Sequence, residues 1–456
     1  MGNWTTRALI AVALASSGTL AAAGVGTFND DGGWCWFQDE RAVIDGSRLL
    51  IGSVASGARD PSRKGDIEVV SYDLESGKLT RFELHDKLLL TSRGKLAQDD
   101  HNAPALLVRP DGRYLAVYTN HGRDNRILYR ISTNPHDATA WNPEQVLVPS
   151  EVSRITYSNL HFLSRENKGA GRIYNFFRGY NASNKPSYAW SDDLGASWKM
   201  GGIFLDFPDT APRRPYVKYA SDGRDTIHMF YSESTPFSYD TSVYHMYYRD
   251  GMLHKSDGAP IRALSPGLRH PGEGTLIYRG NSRNVAWMSD MHLDGKGRPW
   301  VAYSVRKGTL KDPEGEVGAD HRYRYARWTG KRWVDHEIAY AGSQLYRGED
   351  DYTGLIALDP EDPDIVYIST NVHPASGQPL VSKADGKRHW EIFRGVTKSD
   401  GATWTWTAVT KDSTADNIRP VVPIWKSKRY ALLWLRGTLR TYTDYDLAVV
   451  GFIAKR

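Results

Sequence analysis

Two histidines flank a short stretch of sequence that is typical of a β-hairpin. His101 comes just before the apolar run Ala105–Val108, and His121 comes just after the alternating run Tyr114–Thr119. Residues 110–112, Pro-Asp-Gly, predict the turn between the runs. Because the two flanks of an antiparallel hairpin lie side by side, we expect both imidazoles at one rim. Imidazole exchanges protons near neutral pH, so the pair is a candidate acid/base site, with two surface histidines as the alternative.

The composition fits an all-β protein that binds sugars. The chain of 456 residues carries 15 Trp and 26 Tyr, and aromatic residues make up 12% of it. Aromatic side chains are common in strands, and their flat rings stack on the apolar faces of sugars. The 58 basic and 53 acidic residues give a net charge of +5. This small excess does not indicate nucleic acid; it fits an acidic polymer attracted to a local basic cleft.

Residues 1–23 have the features of a secretory signal peptide. Arg7 precedes an apolar stretch, and small alanines at positions 21–23 offer a cleavage site. The apolar run is too short for a membrane span, and no other stretch approaches that length, so we expect a secreted or periplasmic protein and no membrane partner. Cys35 is the only cysteine, which excludes an intrachain disulfide and a cysteine-based zinc cluster.

Short β-prone runs separated by turns occupy the rest of the chain. An apolar strand, a turn rich in Asp and Gly, and a strand with aromatic residues recur in LLVRPDGRYLAVYT, VKYASDGRDTIHMFYSE and MHLDGKGRPWVAYSV. Recurrence of one hairpin unit favours a propeller over a sandwich, and at roughly 60 residues a blade the length allows seven blades. We therefore predict an all-β fold, a seven-bladed β-propeller, as a single domain over residues 24–456.

One motif resembles the Asp-box of the bacterial neuraminidase repeats. Residues 191–198 read SDDLGASW, and residues 397–404, TKSDGATW, form a degenerate copy. In such a box the Asp accepts hydrogen bonds inside a hairpin turn and the Trp packs beneath it. Asp-boxes lie on the outer side of propeller blades, so they indicate the fold and not the chemistry.

Longer stretches resemble a family of polysaccharide lyases that have a seven-bladed propeller fold. They are DGGWCWFQDERAV, GDIEVVSYD, QDDHNAPALLVRPDGRYLAVYTNHG and ITYSNLHFL…GRIYNFFRG, and the likeness is strongest over residues 32–178. Members of this family cleave ulvan, and a related group cleaves the rhamnose–glucuronate link of arabinogalactans such as gum arabic. The resemblance implies catalysis by two histidines, a tyrosine and an arginine. The matching positions are His101, His121, Tyr157 and Arg178.

The reaction of such lyases explains these residue types. They remove the C5 proton of a uronic acid, next to its carboxylate, and break the bond at C4. A guanidinium on the carboxylate stabilises the developing charge, a role that suits Arg178. His101 is the candidate base, Tyr157 is the acid or shares both roles, and His121 holds substrate or polarises the pair. The order among these three is not fixed by the sequence.

Other residues are candidates for an anionic cleft. We expect substrate contacts from Asn120, which is beside His121, from Arg214 of the pair Arg213-Arg214, and from Tyr244. The alternatives are a solvated rim for the arginines and packing for the tyrosine. Three aromatic residues could line the mouth or pack in the core: Trp34, Trp36 and Tyr352.

The sequence predicts no catalytic cofactor. Its histidines have no pair at metal-ligand spacing, and neither a phosphate-binding loop nor a nucleophile elbow occurs. Acidic clusters at 349–351 and 359–364 are candidate sites for a structural cation, calcium or zinc. The expected partner is an acidic polysaccharide, and the chain is expected to act as a monomer.

Two other classes of function share this fold. A sialidase-like or other glycoside hydrolase would use a pair of carboxylates or an arginine triad. Arg41, Arg178 and Arg214 are candidates for that triad, although the usual Arg-Ile-Pro opening is absent. A non-catalytic glycan-binding propeller would keep an aromatic mouth and would need no paired histidines.

Overall fold

The fold is an all-β propeller of seven antiparallel sheets, as the sequence predicts. The computed structural model describes residues 24–87, 98–179, 184–208, 214–309 and 318–456. The predicted signal peptide, residues 1–23, and Arg213 lie outside the described residues. No helix among the described residues is both long and apolar enough to cross a membrane.

The strands follow one another blade by blade. β1 (Gly26–Asn29) precedes blade I, which contains β2 (Ala42–Asp45), β3 (Arg48–Val54), β4 (Ile67–Asp73) and β5 (Leu79–His85). Blade II contains β6 (Ala105–Val108), β7 (Tyr114–Thr119), β8 (Ile127–Ile131) and β9 (Gln145–Leu147). Blade III contains β10 (Thr156–Leu163), β11 (Arg172–Arg178), β12 (Pro186–Ser191) and β13 (Lys199–Ile203). Blade IV contains β14 (Val217–Ser221), β15 (Thr226–Ser232), β16 (Val243–Arg249), β17 (Met252–His254), β18 (Pro260–Ala263) and β19 (Thr275–Tyr278).

The last three blades complete the ring. Blade V contains β20 (Asn284–Leu293), β21 (Pro299–Lys307), β22 (His321–Trp328) and β23 (Trp333–Gly342). Blade VI contains β24 (Ile356–Leu358), β25 (Ile365–Thr370), β26 (Glu391–Thr397) and β27 (Trp404–Ala408). Blade VII contains β28 (Asp416–Val421), β29 (Arg429–Thr441) and β30 (Asp444–Lys455). Short 3₁₀ turns occur at Pro61–Arg63, Asp100–Asn102, Asn167–Gly169, Pro236–Ser238 and Pro271–Glu273.

The two ends of the chain close the ring within one sheet. β1 adds to blade VII as its outer strand, antiparallel to β30, with Gly26 opposite Gly451. The hydrogen bonds between the first and last strands therefore hold the circle of blades together.

The repeats seen in the sequence mark equivalent places in different blades. The three recurring hairpins are β6–β7, β14–β15 and β20–β21, the first two strands of blades II, IV and V. Both Asp-boxes connect the third strand of a blade to the fourth, in blades III and VI. In the first box Asp193 accepts hydrogen bonds from the Ser197 amide at 2.9 Å and the Ser191 hydroxyl at 2.7 Å. The prediction of propeller repeats is confirmed.

A segment between β1 and β2, residues 30–41, crosses the middle of the central channel. Its Gln38 side chain donates to the His101 and Ala103 carbonyls of blade II, at 2.5 Å and 2.7 Å. Its Trp36 ring contacts Trp287 of blade V and Tyr352, just before blade VI. We call residues 30–41 the crossing segment. The end of the channel where β6 and β10 begin is the upper end, and the opposite end is the lower end.

Candidate functional site

The two histidines of the predicted hairpin meet at the upper end of the channel. Their rings stack with centroids 3.9 Å apart and planes 3° from parallel. His101 lies in the Asp100–Asn102 turn before β6, and His121 follows β7. The His121 amide donates to Asn102 Oδ1 at 2.9 Å, which ties the two flanks together. The expectation that both imidazoles share one rim is confirmed.

One buried carboxylate holds both imidazoles. Asp99 Oδ1 lies 3.0 Å from His101 Nδ1, and Asp99 Oδ2 lies 2.8 Å from His121 Nδ1. The Asp99 side chain is fully buried, and although burial raises its pKa, the two histidines outweigh burial and hold the pKa below its usual range. Because both Nδ1 atoms are engaged by Asp99, each ring is left with its Nε2 for other chemistry.

The two stacked rings differ in charge. Burial lowers the pKa of His101, but its acidic neighbours outweigh burial and raise it well above 6.5; of these, Asp100 is the carboxylate that contacts the ring, at 2.8 Å. Burial and then the charge of His101 lower the pKa of His121 below 6.5. Near neutral pH His101 is therefore an imidazolium, whereas His121 is a neutral imidazole with a free lone pair on Nε2.

A second carboxylate explains why His101 keeps its proton. Asp100 Oδ1 lies 2.8 Å from His101 Nδ1, and its Oδ2 accepts from Arg419 Nη1 at 2.5 Å. Asp100 and Arg419 are both fully buried. The Arg419 guanidinium also donates to the Trp34 carbonyl of the crossing segment, so this pair anchors the site from beneath.

Tyr157 lies beside the histidine pair with its phenol protonated. Its ring centroid is 5.6 Å from that of His101 and 6.5 Å from that of His121. Burial and the neighbouring Tyr216 raise the pKa of Tyr157 well above 10.0. The residue has a φ of 67°, and the pairing of β10 with β11 shifts register between Thr156 and Asn159. This left-handed backbone at an irregular strand start is typical of functional sites.

Arg178 brings a buried positive charge to the same place. It ends β11 opposite Thr156, and its guanidinium lies 4.9 Å from the Tyr157 ring and 4.7 Å from the Tyr216 ring. The residue is 8% exposed, and no salt bridge to it occurs among the described residues. Its Nε and Nη1 atoms have no hydrogen-bond partner there. A buried guanidinium without an acidic partner is suited to bind an anion.

Of the three remaining predicted contacts, only Tyr244 packs in a core. Asn120 is buried next to His121, and its amide donates to Asp124 at 3.2 Å. Arg214 is exposed two residues before Tyr216, the ring beneath Arg178. Tyr244 packs in the core of blade IV, stacked on Tyr231 with centroids 5.4 Å apart. The four catalytic candidates thus come together, Asn120 lies beside His121, Arg214 lies two residues from the ring beneath Arg178, and Tyr244 packs elsewhere.

Several residues of the site were not foreseen from the sequence. Tyr442, between β29 and β30, meets both histidine rings edge-on, at 4.9 Å from His101 and 5.4 Å from His121. Burial raises the pKa of Glu349 to about 7, against the opposing charge of the nearby His101. Asp99 stood in the quoted QDDHN stretch, but its bridge between the two imidazoles is visible only once the flanks of the hairpin are in place. Only Glu349 carried a signal in the sequence, as part of an acidic cluster.

Groups that could hold a metal ion among the described residues all include His101. They are Cys35 with Asp100 and His101, and Asp99 with His101 and His121. The atoms of the second group already hold one another by hydrogen bonds. The acidic clusters named from the sequence pair differently, with Asp351 bonded to Arg306 and Asp359 to Arg456.

The matching sequence family is consistent with the repeats and the fold. Residues 60–341 match the BNR repeat-containing family, which is more than half of the chain. The chain belongs to this family. No curated protein matches the sequence of this BNR-family propeller.

Solved structures similar to the BNR-family propeller include two structures described as a PL25 ulvan lyase. One is a PL25 ulvan lyase bound to -[GlcA(1-4)Rha3S]-, with a TM-score of 0.68 and 16% identity over 93% of this chain and 94% of that one. A structure of a PL25 ulvan lyase without the saccharide gives a TM-score of 0.67 at 16% identity. The polysaccharide lyase Uly1 gives a TM-score of 0.59 and 12% identity over 92% of this chain and 90% of that one. At such identities the likeness concerns the fold.

Proposed function

We propose that this protein is a polysaccharide lyase that cleaves a uronic acid–rhamnose linkage by β-elimination. The observation that carries the proposal is the unpaired, buried guanidinium of Arg178 next to a neutral and a charged imidazole. Elimination at a uronate needs an anion-binding cation, a base and an acid that all reach the same sugar residue. The upper end of the channel offers all three groups. The ulvan lyase fold is in keeping with this reaction.

The geometry favours one assignment of roles. The sugar carboxylate binds the Arg178 guanidinium, which stabilises the charge that develops as the C5–H bond breaks. His121 Nε2 accepts the C5 proton, because His121 is the neutral imidazole and its side chain is 19% exposed against 4% for His101. The electron pair of the C5–H bond forms the C4–C5 double bond, and the C4–O bond breaks. The Tyr157 hydroxyl protonates the departing oxygen, and His101 remains the charged partner that keeps His121 neutral.

This assignment moves the base from His101, the first candidate of the sequence, to His121. His101 is almost buried and has its Nδ1 between Asp99 and Asp100, so the proton it carries is strongly held. The sequence leaves the order among the three residues open, and the contacts of His101 with Asp99 and Asp100 support His121 as the base.

A sialidase-like hydrolase is less well supported. The arginine triad would need Arg41 beside Arg178, yet Arg41 donates to the Cys35 and Gln38 carbonyls within the crossing segment. Arg41 also lies on the wall of a cavity at the lower end. Asp99 and Asp100, the carboxylates next to the histidines, are fully buried and engaged.

The substrate and the compartment are part of the proposal. Ulvan, and glucuronate–rhamnose arabinogalactans such as gum arabic, contain the linkage that the site would cleave. An extracellular polymer requires an exported enzyme, and we propose that residues 1–23 direct that export. No cofactor takes part in the steps above, and the enzyme would work as a monomer.

The test is to incubate the purified protein with ulvan and, separately, with gum arabic. Near-ultraviolet absorbance reports the unsaturated uronate, and a reducing-end assay reports every cleavage. We expect both signals to rise together with one of the polymers. The variant His121→Gln should abolish both, while His136→Gln, which changes an exposed histidine of blade II, should leave them intact. New reducing ends without absorbance would contradict the lyase and favour a hydrolase.

A further inference from the structure

Tyr442 is held beside the two imidazoles, and the proposed elimination gives it no role. It lies in the two-residue turn that joins β29 to β30. Its carbonyl accepts a hydrogen bond from the Asp100 amide at 3.0 Å, so the turn is attached to the residue before His101. Its ring meets the His101 and His121 rings edge-on, at centroid distances of 4.9 Å and 5.4 Å. Two-residue hairpin turns are tight, and Tyr442 is therefore a fixed part of the upper end.

The phenol of Tyr442 is available to a ligand. The residue is partly exposed, and its hydroxyl has no hydrogen-bond partner in the described part of the chain. This hydroxyl is not among the buried polar atoms that lack a partner, so it reaches solvent. A tyrosine that offers part of its ring and a free hydroxyl to solvent is suited to contact a sugar, which presents apolar C–H groups and hydroxyls together.

Arg123 brings a positive charge to the same rim. It comes two residues after His121 and is exposed, and its guanidinium has no hydrogen-bond or ion-pair partner among the residues that the structure describes. Burial and the charge of Asp99 raise the pKa of Tyr442, and the charges of His101 and Arg123 act against that rise. Arg123 is therefore close enough for its charge to act on the Tyr442 phenol.

Two acidic side chains also act on Tyr442, and neither cancels the charge of Arg123. Asp99 is engaged by both imidazoles. Burial raises the pKa of Glu349 to about 7, against the opposing charge of His101, so close to that pH only about half of this carboxyl is ionised. The groups around Tyr442 therefore keep a positive balance, which favours an anion.

The order of the blades places Tyr442 across the histidines from Arg178. Tyr157 and Arg178 belong to blade III, Tyr442 belongs to blade VII, and the two histidines flank the first hairpin of blade II. In the proposed elimination the carboxylate and the C4 oxygen of the uronate face Arg178 and Tyr157. Because C1 lies across the sugar ring from C4, C1 then points towards Tyr442 and Arg123. The next sugar residue, linked through C1, is the one that these two side chains would contact.

We propose that Tyr442 and Arg123 form a subsite for the sugar residue linked to C1 of the uronate, and that Arg123 binds a negatively charged group there. The Tyr442 hydroxyl hydrogen-bonds to the same residue. This inference rests on the proposed lyase function and adds a preference to it, because a polymer with a second anionic group close to the uronate binds more tightly than one without. A sulfate ester on that residue and the carboxylate of a further uronate would supply the same charge.

The test measures kcat and KM of the parent and of Arg123→Gln on whichever of ulvan and gum arabic the parent cleaves. KM should rise about fivefold in the variant while kcat stays within about twofold, because the contact is made in the ground state and the transition state alike. Added salt should raise the KM of the parent more steeply than that of Arg123→Gln. Tyr442→Phe should raise KM about threefold, again at an unchanged kcat. Arg165→Gln removes an exposed arginine beyond the lower end of β10, where it pairs with Asp225, and should behave as the parent does.

Two further comparisons identify the anion and separate the two proposals. On a chemically desulfated polymer the difference between the parent and Arg123→Gln should disappear if the charge is a sulfate ester and persist if it is a carboxylate. Isothermal titration of His121→Gln with the intact polymer, with and without Arg123→Gln, should show the same loss of affinity in the absence of turnover. If the parent makes no unsaturated uronate, the lyase proposal fails, and this titration still tests the contact of Arg123. The inference is overturned if Arg123→Gln leaves KM and polymer affinity unchanged, or if Arg165→Gln weakens both as much.

Discussion

The imidazole rings of His101 and His121 lie face to face, 3.9 Å apart, because Asp99 engages the Nδ1 atom of both. Two stacked imidazolium ions would repel each other strongly in a buried site, so one ring carries the charge and the other stays neutral. Asp100 assigns the charge to His101 through a 2.8 Å contact. The pair is thus polarised before any substrate binds, and the proposed mechanism depends on that difference.

Replacement of Asp99 by Asn should impair catalysis without impairing binding. An amide cannot accept hydrogen bonds from both Nδ1–H groups with its two side-chain atoms, so one ring changes its tautomer and the lone pair on Nε2 is lost. We expect kcat to fall roughly a hundredfold or more, the usual worth of a positioned acid or base. KM should change little, because Asp99 is fully buried and does not reach the sugar.

The control for this change is Asp111→Asn in the turn of the same hairpin, where the carboxylate pairs with Arg109. It should leave kcat and KM unaltered. A loss in Asp99→Asn that appeared as a higher KM with an unchanged kcat would count against a positioning role.

Removal of the charge on His101 should move the pH profile. The base must be unprotonated, so activity declines as pH falls through the pKa of His121, which lies below 6.5. Without the charge of its neighbour this pKa rises, and the acid limb of kcat/KM in His101→Gln should move to higher pH. The profile is measured on residual activity against ulvan or gum arabic. An acid limb that stays in place or moves to lower pH would show that His121 is not the titrating base.

Replacement of Arg178 by Met should abolish activity and yet preserve the fold. Loss of the guanidinium removes the partner of the uronate carboxylate, and we expect kcat/KM to fall roughly 10²- to 10³-fold. The same change removes a buried charge that has no acidic partner in the described structure, so the melting temperature should stay the same or rise. Arg172→Met, on the same strand and paired with Asp192 at the surface, should retain activity. Full activity in Arg178→Met would remove the anion site from the mechanism.

The variant Tyr157→Phe should retain substrate binding and lose the proton donor. The ring keeps its packing against Phe37, His101 and Arg178. We expect a fall in kcat of roughly 10²- to 10⁴-fold, the range for a general acid, with KM nearly constant. Tyr129→Phe, which loses only a hydrogen bond to the Ala196 carbonyl, is the matched control. A polymer with a better leaving group should recover part of the rate in Tyr157→Phe. If it recovers none, Tyr157 has a role other than general acid.

Local sequence accounts for much of the fold and part of the site. Alternation and turn residues predicted β6 and β7 at the bounds observed, since both strands belong to one hairpin whose pairing is set by adjacent residues. The two histidines followed from that hairpin. The Asp-boxes could be predicted because their hydrogen bonds join residues only a few positions apart, such as Asp193 and Ser197.

The rest depends on closure of the ring. Tyr442 and Arg419 come from blade VII, more than three hundred residues after His101, and no local pattern marks them. The difference between the two imidazoles depends on Asp100 and its partner Arg419, so the choice of base was open at the level of sequence. Tyr244 was predicted to contact substrate but packs in the core of blade IV. A strand tyrosine has the same local sequence pattern in a core and in a cleft, so sequence alone does not distinguish the two.

The most direct test of the elimination is to run the reaction in water enriched in the heavy oxygen isotope and to measure the masses of the products by mass spectrometry. A lyase adds no water, so the products should carry no heavy oxygen at the cleaved bond, and the fragment with the new nonreducing end should have the mass of an unsaturated uronate. Incorporation of one heavy oxygen per cleavage, with a saturated fragment, would show hydrolysis and contradict the account given for His121, Tyr157 and Arg178.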